Sequence, residues 1–293
     1  GGATVRRADA LARRQASAIT TVSGDALERR NITTVAQLLN GAVPGMWMWD
    51  GAPSALLGQY GSVRGAASFG VSHPKVYLDG VELANPLLFT QLDAGLLERV
   101  DVIKGPHGSA RYGADAASGV IHLVSRHGAP EEGVRATMQS AMGWTHSAFG
   151  PSTAVQEHTL GARIGDSFRS AGIALRGATS GNYVPNAYTR ELQAMANGRL
   201  IAAATAVTAT ARLQHTIAGV PVNPLLGDDR VARGIDPRAL SMYGVGATVS
   251  RTSGDDLPYT FTAGMDGYRL PNVTGGAKGF TPAECGGWRI NLN

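Results

Sequence analysis

From about residue 133 onward, apolar and polar residues alternate along the chain with a period of two. In the first such segment Val134, Ala136 and Met138 fall on one face and Arg135 falls on the other. Because successive side chains of a β-strand point to opposite sides, this pattern predicts strands with one apolar and one polar face. Seven segments follow the rule, at residues 134–145, 157–164, 170–176, 191–200, 207–214, 243–250 and 259–266.

The lengths of the connections distinguish two architectures that both contain alternating strands. A soluble sandwich alternates as well, but an outer-membrane barrel has short turns on one side and longer loops on the other. The connections run long, short, long, short, long and moderate, at 147–153, 165–167, 179–190, 201–205, 215–240 and 252–257. Aromatic residues near segment ends, where an aromatic girdle would lie, are Trp144, Tyr183, Tyr243, Tyr259 and Tyr268. We therefore favour an antiparallel transmembrane β-barrel over a soluble sandwich.

The first 128 residues have a different pattern, which is typical of an α+β unit. Thr34 and Gln37 have capping-box spacing, and Gly41 stands where a helix ends, so a short helix is predicted at 33–40. An Asp-Gly pair, Asp79 and Gly80, lies between two β-type runs and predicts a hairpin. The other predicted elements are a helical turn at 25–30, a helix at 93–98, and strands at 99–104 and 119–125.

Composition excludes several classes of protein. The chain has 39 glycines and only 16% charged residues, which fits a β-rich fold with many turns. Its formal net charge is +4, but it has three lysines and scattered arginines without a basic stripe, so we expect no nucleic-acid partner. The single cysteine, Cys285, cannot form a disulfide within the chain. No apolar run reaches the roughly 20 residues that a membrane helix needs.

No catalytic or metal-binding arrangement is apparent in the sequence. A Gly-x-Ser-x-Gly motif and a His-Glu-x-x-His motif are both absent, and the Gly-rich loop at 105–109 is not followed by Gly-Lys-Ser/Thr. We therefore predict no enzyme, no cofactor and no metal site. The histidines lack metal-ligand spacing; they are His73, His107, His122, His127, His146, His158 and His215.

Five sequence blocks in a fixed order resemble the plug of TonB-dependent outer-membrane receptors. The upstream runs 35–39 (VAQLL) and 43–45 (VPG) are similar to that family too. The five blocks are 62–65 (SVRG), 76–81 (VYLDGV), 97–106 (LERVDVIKGP), 110–113 (ARYG) and 117–121 (ASGVI).

The resemblance implies a two-part molecule in the outer membrane of a Gram-negative-type bacterium. Residues 1–128 would be the plug, and 129–293 the N-terminal part of a 22-stranded type of barrel. Residues after 128 are too few for 22 strands, which need roughly 200 residues before loops are counted. We therefore expect a partial barrel, with 290–293 in the fourth extracellular loop and the remaining strands supplied by the same or another chain.

The function implied by the resemblance is transport of a scarce ligand, such as a siderophore, cobalamin, oligosaccharide or peptide. The plug would gate the barrel, and TonB would bind a box upstream of residue 1. Outer-membrane lipid is the other expected partner. The alternative is a non-transporting structural or adhesive component made from a partial or split receptor.

Two sets of candidate site residues follow from the resemblance. Apex loops at 46–54 and 83–90 would contact ligand, although local packing is the other interpretation of the Met-Trp-Met-Trp run. Basic plug residues would contact acidic groups on the barrel wall, although Arg64 and Arg111 could instead cap local carbonyls. The ligand contacts are Trp47, Trp49, Asn85 and Phe89, and the plug–barrel contacts are Arg64, Arg99, Lys104 and Arg111.

Overall fold

The structure, a computed structural model, divides into two compact units. Among the residues described, those up to residue 125 belong to the first unit and those from residue 126 onward to the second. The described residues are 19–23, 35–40, 42–48, 61–63, 74–92, 96–104, 108, 112–113, 116, 118–126, 133–226, 237–251, 259–271 and 285–292.

The first unit is built on a five-stranded sheet with the strand order β1-β6-β7-β4-β5. Strands β4 and β7 are parallel, and the other neighbours are antiparallel. None of the helices in the described residues is long and apolar enough to cross a membrane. The elements are β1 (Ile19–Ser23), α1 (Val35–Leu39), β2 (Met46–Met48), β3 (Gly61–Val63), β4 (Lys75–Leu78), β5 (Val81–Glu82), a 3-10 helix (Pro86–Gln91), β6 (Leu97–Ile103) and β7 (Val120–Ser125).

The hairpin predicted at Asp79-Gly80 is confirmed. Leu78 pairs with Val81 across it, and Asp79 and Gly80 have φ values of 49° and 86°. Two left-handed residues in succession define the turn that matches the twist of a two-residue hairpin. The helix predicted at 33–40 is also present, as α1, whereas the helical turn at 25–30 lies outside the described residues.

The helix predicted at 93–98 is wrong at its C-terminal end. Leu97 and Glu98 belong to β6, and Leu97 pairs with Ser125 beyond a register shift. Leu97 is buried, so packing against β7 decides its conformation over local helix propensity. Residues 93–95 lie outside the described part of the chain.

The core of the first unit lies on its sheet and on the segments that pack near it. Alternate residues of β6 and most residues of β7 are buried, as are Leu38 and Leu39 of α1. The largest fully buried side chains in this unit are those of Leu38, Leu39, Leu97, Ile121, Leu123 and Val35.

The second unit is one eight-stranded antiparallel sheet in which sequence neighbours are also spatial neighbours. The order runs from β15 to β8 without a crossover. Its strands are β8 (Gly133–Ser147), β9 (Gly150–Gly165), β10 (Arg169–Ser180), β11 (Thr189–Ala202), β12 (Thr205–Ala218), β13 (Arg238–Arg251), β14 (Tyr259–Leu270) and β15 (Cys285–Leu292). The structure therefore confirms the seven predicted strands and adds an eighth.

The eighth strand corrects the interpretation of the C-terminal segment. Residues 290–293 were expected in a loop, but Ile290 pairs with Met265 of β14 and Leu292 with Ala263. Trp288, Ile290 and Leu292 are exposed and Asn291 is buried, although Arg289, on the same face as Asn291, is exposed. Two consecutive glycines, Gly286 and Gly287, leave only a short part of the strand with an apolar pattern.

The connections keep most of the predicted asymmetry. On one side, called here the short-turn side, strands are joined by 166–168, 203–204 and 252–258; on the long-connection side they are joined by 181–188, 219–237 and 271–284. The exception is 147–153, which was expected to be long. Ser147 pairs with Gly150, so only 148–149 connect β8 to β9 there, after a register irregularity between Thr145 and Ser147.

Along much of β9 to β14 the burial pattern is the reverse of that in a soluble protein. Leu192 is 59% exposed, whereas its neighbour Gln193 is 2% exposed. The same holds along β12, where Leu213 is exposed and Gln214 is buried. Polar-in and apolar-out alternation is the pattern of outer-membrane strands, whose apolar side chains meet lipid. We call the two sides of this sheet the apolar face and the polar face.

The predicted aromatic girdle is only partly present. Trp144, Tyr243 and Tyr259 lie on the apolar face. Tyr268 alternates with Arg269 and lies with buried Asp266 on the polar face, because its parity along β14 places it there. Tyr183 lies in the connection between β10 and β11.

Candidate functional site

The polar face of the sheet carries a three-residue charge cluster. The guanidinium of Arg176 donates to Glu157 Oε1 at 3.2 Å and to Glu191 Oε1 at 2.9 Å. The Arg176 side chain is 7% exposed. An arginine with two carboxylates leaves this cluster with one net negative charge.

The register of three neighbouring strands creates this cluster. Ala178 of β10 lies directly opposite Glu157 of β9 and Glu191 of β11. Arg176, two residues away on the same face, therefore reaches both carboxylates diagonally. The amides of Gln193 and Gln214 also donate to Glu191 Oε1, the second at 3.4 Å.

A second buried ion pair crosses a whole strand. Arg212 of β12 and Asp266 of β14 form a salt bridge, although β13 lies between their strands. The residue between them is Gly244, which pairs with both. A Cβ atom on Gly244 would lie 2.9 Å from Asp266 Oδ2 and 3.0 Å from Arg212 Nε. The missing side chain therefore provides the space in which the two charges meet.

The central hairpin of the first unit is fixed to the sheet by one carboxylate. Asp79 Oδ1 accepts from the Ser125 backbone N–H at 2.9 Å, and Asp79 Oδ2 accepts from the Ser125 hydroxyl at 2.6 Å. The Asp79 backbone N–H donates to the Leu123 carbonyl at 2.9 Å. The β4–β5 turn is thus tied to the end of β7.

An aromatic cluster lies beside that hairpin. Tyr77 stacks on His122 with ring centroids 5.1 Å apart, and Tyr112 lies 5.4 Å from Tyr77. His122 Nε2 and the Tyr112 hydroxyl are 2.7 Å apart. Lys75 Nζ donates to the Tyr112 carbonyl at 3.2 Å and lies 3.9 Å from Glu82. Because each polar group is used within the cluster, we assign it a packing role in the first unit.

The structure describes three of the four predicted ligand contacts. Phe89 is buried in the 3-10 helix, and Asn85 caps that helix by accepting from Leu87 N–H at 3.0 Å. Both residues therefore have local structural roles, and their contact with ligand stays a prediction. Trp47 lies in β2, whereas Trp49 is outside the described residues.

The structure describes two of the four predicted plug–barrel contacts. Arg99 is on β6, where its Nε donates to Asp101 at 3.0 Å and its guanidinium lies 3.9 Å from Glu98. Lys104 follows β6 and is buried. Arg64 and Arg111 lie outside the described residues. The structure brings none of these four together with another within the described residues, and their role as contacts stays a prediction.

Arg176, Arg212 and Asp266 were not among the predicted site residues. Each is a charged residue at a polar position of an alternating strand, which was a usable signal. Their partners were not predictable, because Arg212 and Asp266 are 54 residues apart and meet only through the register of two strand pairs. The described residues contain no group of three or more His, Cys, Asp or Glu side chains that could hold a metal ion.

The turn between β9 and β10 contains one carboxyl with an altered pKa. The backbone N–H groups of Arg169 and Phe168 donate to Asp166 and hold its pKa below the usual value. Both hydrogen bonds are 2.7 Å long. Hydrogen bonds to the charged form stabilise it, which explains the direction.

Comparison with known proteins identifies a domain in the first unit. The family model described as the TonB-dependent receptor plug domain matches residues 12–120. The chain therefore contains a TonB-dependent receptor plug domain. The vitamin B12 transporter of Vibrio vulnificus is 42% identical over 59 residues, which are 19% of this chain and 10% of that transporter.

The fold of this chain is similar to that of three solved structures. The siderophore receptor PirA of Acinetobacter baumannii superposes with a TM-score of 0.71 at 10% identity, over 94% of this chain and 44% of that one. For the ferric enterobactin receptor PfeA of Pseudomonas aeruginosa the values are 0.68, 13%, 95% and 46%. For the RagAB peptide importer they are 0.69, 12%, 86% and 41%. The chain thus spans less than half the length of these structures.

Proposed function

We propose that the natural polypeptide carrying this sequence imports a scarce ligand across the outer membrane, with TonB supplying the energy. The supporting observation is the combination of a plug domain with a sheet whose apolar face is exposed and whose polar face carries buried charged and amide side chains. Such a sheet places its apolar side chains in lipid, as receptors of this family require. The family consists of receptors and transporters that lie in the outer membrane and interact with TonB.

The plug is the gate in this proposal. Two hydrogen bonds from Ser125 to Asp79 connect the hairpin of the plug to the end of β7. We therefore expect the plug sheet to move as one body. We propose that Arg64, Arg99, Lys104 and Arg111 hold the plug through polar contacts with acidic groups of the barrel wall. Polar contacts can be released and re-formed in water at a small net free energy, which suits a part that must move.

The polar face of the sheet supplies the wall of the transport path. It carries charge and amide groups, among them Arg176, Glu191, Gln193 and Gln214, which are fixed to one another by hydrogen bonds. Fixed polar groups of this kind allow a hydrated ligand to pass without burial of unpaired charge. The ligand classes to be tested are those handled by the similar proteins, namely cobalamin, ferric siderophores and peptides, together with oligosaccharides.

Uptake of a labelled ligand tests the proposal. The natural polypeptide would be expressed in the outer membrane of a bacterium without its own receptors, with and without functional TonB. We expect accumulation of one ligand class only when TonB is present. Accumulation that does not change on removal of TonB would contradict the proposal. No accumulation of any ligand, with the protein correctly inserted, would support the structural or adhesive alternative instead.

The proposed ligand contacts can be separated from the other tryptophans of the chain. Trp47→Phe and Trp49→Phe should remove the fluorescence change produced by a bound ligand. Trp144→Phe is the matched control, because Trp144 is exposed on the apolar face. If all three variants keep the full fluorescence change, Trp47 and Trp49 do not contact ligand.

Channel conductance tests the proposed plug contacts. Replacement of Arg64, Arg99, Lys104 and Arg111 by glutamine should raise the frequency of open-channel events in a planar bilayer. Arg135→Gln is the control for loss of a positive charge on the second unit. Unchanged closure of the channel in the fourfold variant would exclude these residues as the plug's holding contacts.

A further inference from the structure

One hydrogen bond holds Arg126, the residue directly after β7, on the eight-stranded sheet. Asn197 Nδ2 of β11 donates to the backbone carbonyl of Arg126 at 2.7 Å. The two residues are 71 positions apart, and both belong to the second unit. Because a carbonyl oxygen only accepts hydrogen bonds, this contact also fixes the orientation of the Asn197 amide. We call it the anchor bond.

A glycine on the neighbouring strand provides the space for this amide. Gly172 of β10 lies directly opposite Asn197 in the register of the two strands. A Cβ atom on Gly172 would lie 2.9 Å from Asn197 Oδ1 and 3.2 Å from Arg163 Cγ. Any side chain at position 172 would therefore push the amide from its place. The amide is thus positioned by the sheet itself.

The strand that carries Asn197 gives the anchor bond a firm support. β11 is paired with β10 on one side and with β12 on the other, and Asn197 lies within both ladders. Residues inside a sheet, with hydrogen-bonded strands on both sides, open less readily than residues in connections. The Arg126 carbonyl is therefore bound to a part of the sheet that resists local movement.

The residue immediately before Arg126 is held by different contacts. Ser125 is bound to Asp79 through its backbone N–H and its hydroxyl, at 2.9 and 2.6 Å. Ser125 and Asp79 belong to the first unit, whereas Arg126 and Asn197 belong to the second. Two successive residues are thus fixed within different units. Since hinges are short segments whose backbone angles change between two rigid parts, the Ser125–Arg126 connection has the position of a hinge.

We propose that Asn197 holds the fixed end of the moving plug, so that the plug turns at the Ser125–Arg126 connection. Asn197 is a positioning residue in this role, because it acts by keeping Arg126 in place while the first unit moves. This inference rests on the gating role of the plug in the proposed function. The guanidinium of Arg126 is not part of the anchor bond, which uses the backbone carbonyl alone.

A fixed end determines how much of a pull on the plug is used to rearrange it. In the proposed function TonB acts on the plug from its N-terminal side. The next strand ladder after Arg126 begins at Gly133 of β8. Loss of the anchor bond adds up to seven residues, from 126 to 132, to the length of chain that a pull can extend, and seven residues reach ~25 Å. Part of the pull would then extend this segment instead of moving the plug.

The mobility of a spin label tests the anchor bond independently of transport. A nitroxide would be attached at Arg126→Cys in the purified natural polypeptide, in a variant without other cysteines. We expect an immobilised spectrum that becomes mobile in Asn197→Leu, because leucine has no N–H donor. Asn291→Leu is the matched control, since Asn291 lies in the same transverse row of the polar face, four strands from Asn197. Equal mobility with and without Asn197, or an equal effect of the control, would overturn the proposal.

Ligand uptake tests the consequence for gating. In Arg126→Cys/Asn197→Cys the amide is lost, and TonB-dependent uptake should fall by about threefold or more. A short bis-methanethiosulfonate reagent that joins the two thiols should restore uptake, and a reducing agent should reverse the restoration. Arg126→Cys alone keeps the carbonyl and Asn197, so it should transport like the wild type. Heat-modifiable migration on gels would verify folding of each variant.

The outcomes of the uptake experiment separate the anchor from transport itself. Undiminished uptake by the reduced double variant would overturn the proposal. So would a failure of the cross-link to restore uptake, or a further loss, since Arg126 would then have to move. Reduced uptake in Arg126→Cys alone would assign the role to the guanidinium and would contradict the proposal as well. Absence of TonB-dependent uptake in the wild type would refute the proposed function, whereas the spin label would still decide whether Asn197 holds Arg126.

Discussion

Asp79 accepts hydrogen bonds from both the backbone N–H and the hydroxyl of Ser125, at 2.9 and 2.6 Å. The two residues are 46 positions apart, so this contact connects the tip of the β4–β5 hairpin to the end of β7. The backbone of Asp79 is left-handed, with φ of 49°. The hairpin is thereby an integral part of the plug sheet.

Removal of the Ser125 hydroxyl should loosen this hairpin. In Ser125→Ala the carboxylate loses a charge-assisted hydrogen bond, which contributes about 1.5–3 kcal/mol. Hydrogen exchange of the backbone amides at 76–83 should therefore become faster. Ser118→Ala, a change at another buried serine, is the control and should leave that exchange as it is. Equal exchange rates in wild type and Ser125→Ala would show that the hydroxyl has no such role.

A methyl group at Gly244 should disrupt the Arg212–Asp266 bridge. Its carbon would lie 2.9 Å from one charged partner and 3.0 Å from the other, so at least one side chain must move. We expect Gly244→Ala to destabilise the folded protein by about 1–3 kcal/mol, as overpacking of a filled site does. Urea unfolding in lipid vesicles measures this. Gly143→Ala is the matched strand control because nothing lies within 4 Å of its Cβ, and similar losses in both variants would point to a general effect of glycine replacement.

Replacement of Arg176 alone should destabilise the folded protein more than replacement of Arg176, Glu157 and Glu191 together. In Arg176→Met the carboxylates of Glu157 and Glu191 remain together without their cation, and breaking a buried pair costs about 3–5 kcal/mol. The triple variant Glu157→Gln/Arg176→Met/Glu191→Gln should recover most of the stability, since it removes the uncompensated charges. Urea midpoints that are equal for the single and triple variants would contradict this electrostatic account.

The Asp166 turn predicts a specific pH dependence. In the folded state, hydrogen bonds from the backbone N–H groups of Arg169 and Phe168 hold the pKa of Asp166 below its usual value of 3.8. A lowered folded-state pKa gives stability that is present above 3.8 and is lost as the pH falls through the folded value. Asp166→Ala should therefore unfold at lower urea concentration than wild type at pH 7, with a difference that shrinks under strong acid. A difference that stays constant, or grows, on acidification would refute the assignment.

The local features of this chain were predictable from sequence, and the long-range ones were not. Asp79-Gly80 predicts its hairpin because a two-residue turn depends on the conformations of those two residues alone. Alternation at 191–200 predicts the faces of β11 for the same reason, since parity follows from strand geometry. Arg212 meets Asp266 only because of the registers of two strand pairs, β12–β13 and β13–β14. These registers could not be predicted from the sequence of the connections between the strands. β15 was missed because Gly286 and Gly287 shorten its apolar pattern.

The same contrast between local and long-range features applies to the predicted site residues. The sequence predicts that Phe89 lies in a ligand-contacting loop. In the structure it lies in the 3-10 helix Pro86–Gln91, and its side chain is buried. Asn85 could be recognised as a cap only after that helix was known.

We propose that the exposed apolar face of the eight-stranded sheet lies in lipid. Nitroxide labels at successive positions of β11 from 192 to 197, in a variant without other cysteines, test this most directly through their collisions with oxygen and with a water-soluble nickel complex. Labels at Leu192, Ala194 and Ala196 should be accessible to oxygen and protected from nickel, and labels at Gln193, Met195 and Asn197 should not show this combination. If nickel reached the labels at Leu192, Ala194 and Ala196 as readily as those at the other three positions, or if accessibility did not alternate with a period of two, this face would not lie in lipid.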